Sequence, residues 1–495
     1  MKCRTLAVLL ACSVRLGAQI TPAEYAARRA ALVKALPGEG VLLVLGAAEP
    51  KENYLNFWQA ESFNYLTGFL EPDAALVIVH RGGTERSLLF VQPRDPAQEV
   101  WTGARLGVDG VARTFAIEGR DAESLRTVLD SLLASGGSLF TVGDFTGRSR
   151  GGDAARGTAL SADDQFVDAF KAAHPNVTVR DVSPQVSALR GRKSAAELAL
   201  LRTAAKISAL AHKEVLHLIA PEVNEFEVQA LAEYTFRRNG ADGPAYGSIV
   251  GSGPNSTTLH YNRDDRFMRA GEVVTMDMAA YYGGYAADLT RTVPVSGTFT
   301  AEQKDIYRIV YDAQQAAERQ VRTGGSRRTM SDSAGAGLRA GLARLGLIES
   351  PGATFECGAR SCSQLSLYYM HSLGHAIGLD VHDTDQSDAG GGGVLREGSA
   401  FTIEPGIYVR ANTVDLIPDT PKNAPLRARI AAAVRRYANI GVRIEDDYIV
   451  TATGFERITE GAPREIEEIE REMARREPPR GRDAAMVEGY RKVRP

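Results

Sequence analysis

The sequence predicts an α/β domain followed by a second, larger domain, and three observations carry that reading. A chain of 495 residues exceeds what one hydrophobic core usually organises. Helical periodicity alternates with short apolar runs over residues 19–183, the pattern of an α/β unit. A fresh capping signal then opens a long amphipathic helix, as a new domain would. With 44% hydrophobic and 24% charged residues, the chain has globular composition and is neither disordered nor collagen-like.

The amino terminus is the first element. Lys2 and Arg4 precede the apolar stretch Leu6 to Ala11, and the small residues Gly17-Ala18 follow, the layout of a secretory signal over residues 1–18. The expectation is an exported protein, periplasmic or secreted; the alternative is a cytoplasmic chain whose first residues form a tail, since Arg15 interrupts the approach to the cleavage site. From Pro22, the run Glu24 to Leu36 has helical periodicity, and Pro37-Gly38 stops it before the buried-strand candidate Val41 to Leu45. Further strands are predicted at Ala75 to Val79 and Ser87 to Val91, and a helix from Ala122 to Leu133. Ser183-Pro184 reads as the linker. Ser194, three residues before Glu197, has capping-box spacing and begins a helix running toward Ile219. At the far end, Arg464 to Met473 is a charged helix, and the Pro/Arg/Gly-rich residues after it lack the composition for fixed structure.

Charge and cysteine content narrow the function. There are 58 Lys and Arg against 61 Asp and Glu, a net charge of −3, so no general nucleic-acid footprint exists. No apolar run approaches the roughly 20 residues that span a bilayer. Of four cysteines, only Cys357 and Cys362 lie inside the predicted fold, either as one disulfide of an exported protein or as two buried thiols.

The chemistry concentrates in the second domain, where acidic residues sit inside strand-like apolar segments and an unpaired charge would be costly. Glu272 to Ala279 alternates as a strand carrying Asp277, Gly283-Gly284 is a two-residue turn signal, and Tyr285 to Val293 returns. With that turn, Tyr282 pairs with Tyr285, Ala279 faces Asp288 and Asp277 faces Thr290. Period two then puts Asp277 and Asp288 on one face as diagonal neighbours, about 7–8 Å apart between backbones, a gap that side chains can close onto a shared ion. The plainer alternative has the two acids capping turns or pairing with Arg291.

His371, His375 and His382 would share a helix face, but Gly374 and Gly378 weaken a helix by about 1 kcal/mol each, so loop and strand are predicted. Glu404 ends the strand Phe401 to Glu404, and Val442 to Glu445 places Arg443 and Glu445 on one strand face. Ordinary salt bridges could account for each acid singly. Together, two Asp, two Glu and at least one His form a mostly oxygen donor set suited to two divalent ions.

Asp277, Asp288, His375, Glu404 within Thr402-Ile-Glu-Pro-Gly-Ile-Tyr408, and Glu445 within Val442-Arg-Ile-Glu-Asp-Asp447 resemble the five-ligand signature of the pita-bread metallopeptidases. His371-Ser-Leu-Gly-His375, Leu379-Asp-Val-His382, Leu259-His260-Tyr261 and Tyr285 to Thr292 resemble the Xaa-Pro aminopeptidase and prolidase group. Glu61 to Phe69 and Arg94 to Gly103 are similar to the aminopeptidase P N-terminal domain. The resemblance implies such a domain over residues 19–183, an α+β pita-bread catalytic domain over 184–460, and a charged helix and tail over 461–495.

It also implies a pair of divalent ions, usually manganese. Asp277 would bind one ion, Asp288 and Glu445 would bridge both, and His375 and Glu404 would complete the second. His260 and His382 would contact the substrate or tetrahedral intermediate, His371 would serve hydrogen bonding and proton movement, and Arg443 and Tyr408 would lie on the substrate side. The substrates would be peptides with proline at the second position, cut by water activated between the ions, with Glu404 shuttling the proton. The implied assembly is a homodimer or homotetramer. The nearest rival is a prolidase confined to Xaa-Pro dipeptides, because the stretch from Glu404 to Glu445 holds an insertion like those of prolidases. A metal-free binding homologue is the other alternative, disfavoured by the intact ligand set.

Overall fold

The structure, a computed structural model, describes residues 20–52, 56–143, 161–384, 393–476 and 484–493. The signal expected over residues 1–18, Cys3 and Cys12, and residues 390–392 of the Gly390 to Gly393 run lie outside them.

The first domain runs α1 (Pro22–Ala35), β1 (Gly40–Leu45), α2 (Glu61–Thr67), β2 (Ala75–Arg81), β3 (Thr84–Val91), α3 (Pro96–Thr102), α4 (Gly107–Phe115), β4 (Glu118–Asp121), α5 (Leu125–Leu132), β5 (Gly137–Thr141), α6 (Ala162–Ala173) and β6 (Val177–Asp181). Local chemistry sets these bounds. Thr21 caps α1 by accepting the Glu24 N–H, and Pro22 occupies the first turn, where its missing N–H costs nothing. The six strands form one sheet in the order β4-β3-β2-β1-β5-β6, with β1, β2 and β3 antiparallel and the outer pairs parallel. Alternate strand residues face opposite sides. Val41, Leu43, Val77 and Leu88 pack with Leu129 and Phe170, while Leu42, Val44, Leu76 and Ile78 face Leu32 and Phe63.

α7 (Ser183–Arg190) follows without a free linker. The boundary expected at residues 183 and 184 therefore falls in the first turn of a helix, where proline is well tolerated. The second domain continues with α8 (Ala195–Leu216), α9 (Glu225–Arg238), β7 (Gly243–Pro244), β8 (Ile249–Ser252), β9 (Val273–Asp277), β10 (Ala280–Tyr282), β11 (Tyr285–Ala286), β12 (Thr290–Pro294), α10 (Ala301–Glu318), α11 (Arg327–Arg344), β13 (Thr354–Cys357) and β14 (Arg360–Ser363). It closes with β15 (Ala400–Ile403), β16 (Gly406–Val409), α12 (Ala424–Tyr437), β17 (Ile440–Arg443), β18 (Asp446–Thr451), β19 (Gly454–Arg457), α13 (Ile466–Met473) and α14 (Ala484–Val493). Ser194 and Glu197 form the predicted capping box on α8. Cys357 and Cys362 are joined as a disulfide across the β13–β14 hairpin, with Cα atoms 5.9 Å apart.

Two long hairpins organise the second domain, and each is interrupted halfway. In the first, β9 pairs with β12 and β10 with β11 in one continuous register, Asp277 opposite Thr290 and Tyr282 opposite Tyr285, as the Gly283-Gly284 turn predicted. In the second, β15 pairs with β18 and β16 with β17, Ile403 opposite Asp446 and Gly406 opposite Arg443, so Glu404-Pro405 and Ile444-Glu445 form the break. The strand expected through Glu445 therefore ends at Arg443, and Glu445 stands in the interruption. The insertion between β16 and β17, including the basic helix α12, leaves this register intact.

The domains share a core. Leu42, Phe63 and Leu76 of the first cluster with Leu200, Leu201 and Ala204 of α8 and with Ile377 and Leu379. Arg28 of α1 adds a buried ion pair to Glu197, 3.2 Å away. A cavity of about 610 Å³ opens at the same junction beside Trp58 and Tyr281, whose rings meet edge to face at 5.2 Å. At the carboxyl end, α13 buries Ile466, Ile469 and Met473. Of the tail expected to lack fixed structure, residues 477–483 and 494–495 lie outside the described residues, and 484–493 form α14, whose Tyr490 packs edge-on to Phe226 at 5.1 Å and Phe267 at 6.0 Å. Those aromatic contacts supply what the local composition does not. Among the described residues, no helix is long and apolar enough to cross a membrane.

Candidate metal and active site

Each of the four predicted acids stands at the end of a ladder segment or in a ladder break. Asp277 ends β9, Asp288 lies between β11 and β12, and Glu404 and Glu445 face each other across the second break. Tyr246 Oη lies 2.5 Å from Asp277 Oδ1 and 2.7 Å from Asp288 Oδ1, so one hydroxyl hydrogen serves both carboxylates. Arg291 turns away and spends its five N–H groups on the carbonyls of Pro463, Thr290, Glu445 and Ala462 and on Asp446 Oδ1. The alternative in which Arg291 neutralises the hairpin acids is therefore not what the chain does.

His371 to His382 form a loop, as predicted, laid along the edge of β15. His375 O accepts from Thr402 N at 2.9 Å, and Leu373 O accepts from Glu404 N at 2.8 Å. The glycines allow close approach here, because a Cβ on Gly374 would meet Thr402 O at 2.1 Å. His375 thereby reaches the acids: its Nε2 is 3.3 Å from Asp288 Oδ2 and 3.5 Å from Glu404 Oε1, while Nδ1 faces Ala376 O at 3.1 Å. With the proton on Nδ1, Nε2 is left to bind a cation. Donor atoms of Asp288, His375 and Glu445 all lie within 4.8 Å of one another, and Thr290 Oγ1 donates to Glu445 Oε2 at 2.6 Å.

The electrostatics call for positive charge. Burial, then the negative charge of Asp288, Glu404 and Asp277, pushes the Glu445 carboxyl well above its ordinary range. Burial lifts Glu404 to about 7, with Asp288 adding to the rise and His375 and Arg443 opposing it. Burial also raises Asp277, and Arg443 offsets only part of that. For Asp288 burial is outweighed by His375, whose hydrogen bond and charge hold the carboxyl below the usual value. His375 itself rises to about 9, its burial overcome by Asp288 and Glu404. A pocket of converging oxygens and one imidazole, destabilised by its own negative charge, is the donor set for hard or borderline divalent cations.

The remaining predicted residues divide into a wall and a mouth. Arg443, 4% exposed, donates to Asp277 Oδ2 at 2.6 Å, to Tyr408 Oη at 3.0 Å and to Thr290 Oγ1 at 3.1 Å. Tyr408 is fully buried and its Oη lies 2.8 Å from His371 Nε2. The polar ends of Arg443 and Tyr408 engage Asp277 and His371, so both side chains brace those groups. His371 Nδ1 is 3.6 Å from Glu404 Oε2, and burial, reinforced by Arg443, lowers its pKa to about 4, which keeps the ring neutral. His260 and His382 are exposed at the mouth, the His382 ring 4.0 Å from that of His375. Sequence reasoning missed Tyr246 and Thr290. Thr290 lies within the Tyr285 to Thr292 segment but its hydroxyl's bond to Glu445 is a tertiary contact, and Tyr246 belongs to no spaced motif and meets Asp277 only through the fold.

Residues 199–452 match metallopeptidase family M24, and residues 25–140 match the aminopeptidase P N-terminal domain. The chain is 32% identical over 460 residues to an Xaa-Pro aminopeptidase of Escherichia coli (strain K12), covering 91% of this chain and 98% of that one. It is 31% identical over 460 residues to the Xaa-Pro aminopeptidase of Haemophilus influenzae, covering 92% and 98%. Among solved structures it is similar to aminopeptidase PepP of Pseudomonas aeruginosa, with a TM-score of 0.76, 31% identity and coverage of 92% and 98%. E. coli aminopeptidase P with the inhibitor Pro-Leu gives a TM-score of 0.76 at 30% identity, covering 92% and 99%.

Proposed function

The chain belongs to metallopeptidase family M24 and carries an aminopeptidase P N-terminal domain, and from that premise we propose that it is an Xaa-Pro aminopeptidase, a metal-dependent hydrolase that cuts between an N-terminal residue and a following proline. The observation that carries the reading is the convergence of Asp277, Asp288, His375, Glu404 and Glu445 on one buried, negatively charged point.

Those five side chains would hold two divalent cations, manganese in our reading. When bound, the pair supplies Lewis acidity that activates water and polarises the scissile carbonyl. Glu404, with a pKa near neutrality in the metal-free protein and His371 beside it, takes the proton from the attacking water and returns it to the leaving proline nitrogen. His260 and His382, at the open side, donate hydrogen bonds to the oxygen on which negative charge develops, an interaction that strengthens toward the transition state. Arg443 and Tyr408 fix Asp277 and His371 from behind.

The disulfide between Cys357 and Cys362 supports an exported enzyme, since such bonds persist in oxidising compartments. Self-association into a dimer or tetramer completes the reading, and Val100 and Trp101 of α3, 80% and 74% exposed, offer apolar surface for it.

A peptide panel with defined metal tests the proposal. An Xaa-Pro-Xaa tripeptide should release its first residue faster than an Xaa-Ala-Xaa control. Cleavage of Xaa-Pro dipeptides alone would assign the chain to the prolidases instead.

A further inference from the structure

The break in the first hairpin is built by groups outside the metal-ligand set. Met278 faces Leu289 in the register that continues through it, and such an antiparallel pair ordinarily exchanges two backbone hydrogen bonds. Met278 N does donate to Leu289 O at 3.1 Å. Met278 O, however, accepts from His212 Nε2 at 2.9 Å, and Leu289 N turns to Tyr246 Oη at 3.5 Å. The next such pair repeats the pattern. Ala287 N donates to Ala280 O at 3.2 Å, while Ala280 N donates to Ser208 Oγ at 2.8 Å in place of a strand carbonyl.

Ser208 and His212 stand four residues apart on α8, hence on one face, and both are buried, at 0% and 1% exposure. One supplies an acceptor and the other a donor to backbone groups that the open ladder leaves without strand partners, on either side of the turn from Asp277 into β10. Replacing them with apolar side chains would strand a buried carbonyl and a buried N–H, whose cheapest remedy is to close the ladder. A closed ladder draws Asp288 toward regular strand geometry and away from His375.

We propose that Ser208 and His212 are positioning residues for the metal site: by taking the freed backbone groups they hold the hairpin open where Asp277 and Asp288 must meet. The inference rests on the metallopeptidase reading above. It requires the Nε2–H tautomer of His212, and burial, aided by the nearby Arg291, lowers its pKa to about 4, so the ring is neutral with one donor nitrogen.

The test compares His212→Leu, which fills the space without a donor, with His212→Gln, whose amide nitrogen can restore it, and with Ser208→Ala. Each full-length protein is stripped with chelator and titrated with Mn²⁺ by calorimetry, and kcat and KM are measured on an Xaa-Pro-Xaa tripeptide. His212→Leu should bind the ion about 10–100-fold more weakly, with kcat reduced and KM little changed, and His212→Gln should recover most of the loss. Ser208→Ala should shift Mn²⁺ affinity in the same direction by a smaller factor, and it decides the matter should the leucine variant fail to fold. Wild-type Mn²⁺ affinity in His212→Leu or Ser208→Ala overturns the proposal, as does a glutamine variant no better than leucine. A wild-type protein that binds no Mn²⁺ would instead overturn the manganese-site reading on which this inference rests.

Discussion

Asp288 concentrates the residue-scale argument. It meets His375 Nε2 at 3.3 Å, shares the Tyr246 hydroxyl with Asp277, and takes Asp447 Oδ2 as acceptor for its own N–H at 3.0 Å. Asp288→Ala should lose bound metal and turnover together; near-wild-type hydrolysis would reject its assignment as a bridging ligand. Proton competition gives a second expectation. His375 and Glu404 both have raised pKa values in the metal-free protein, about 9 and about 7, so at lower pH each holds a proton that a cation must displace. Metal affinity should therefore climb between about pH 6 and about pH 9, with proton release on binding that shrinks as pH rises. Calorimetry in buffers of different ionisation enthalpy reads both quantities, and an affinity independent of pH over that range would contradict the site.

At the scale of elements, the His371 to His382 loop is held against β15 by backbone bonds and by the close approach that Gly374 permits. A methyl group on Gly374 would drive Thr402 and the loop apart, separating His375 from Glu404. Gly374→Ala should cost about 100-fold in kcat, the penalty expected for displacing a catalytic group by roughly 1 Å. Retained activity would mean the contact is not needed. The same glycine shows how sequence reasoning fares. The Gly283-Gly284 turn and strict alternation determine a hairpin register, so the pairing of Asp277 with Thr290 is readable in advance. Gly374 and Gly378 are also readable as a departure from helix, but their reasons, the β15 backbone at Thr402 for the first and the Asp383 carboxylate and Lys193 for the second, are tertiary facts. Glu445 reads as part of a strand because its neighbours are apolar, whereas the hairpin breaks at Ile444-Glu445. Tyr246, Ser208 and His212 carry no motif, since their partners are the carboxylates and backbone atoms of a distant break.

Across the whole molecule, the two domains are fused by an apolar cluster and by the Arg28–Glu197 pair, and charges at the start of the second domain reach the site's own loop. Arg190 of α7 bonds Asp380 at 2.8 Å and Asp383 at 2.7 Å, and Lys193 lies 3.1 Å from Asp383, so the junction anchors the segment that carries His382. Calorimetric unfolding should give one cooperative transition for both domains; two well-separated transitions would show that the shared core does not couple them. The two-domain order was legible in local capping and alternation, and the acids and histidines stood out as polar groups set among apolar segments, their selection as a ligand set resting on the family resemblance. The helical tail and the helix at the expected linker were not legible, because contacts across the chain decide them.

The most direct test of a paired-cation peptidase is to titrate chelator-treated protein with Mn²⁺ while following release of the first residue from an Xaa-Pro-Xaa tripeptide. The account predicts hydrolysis that is absent without the ion and saturates as two ions bind per chain. Undiminished hydrolysis by the stripped protein, or no release at saturating metal, would contradict it.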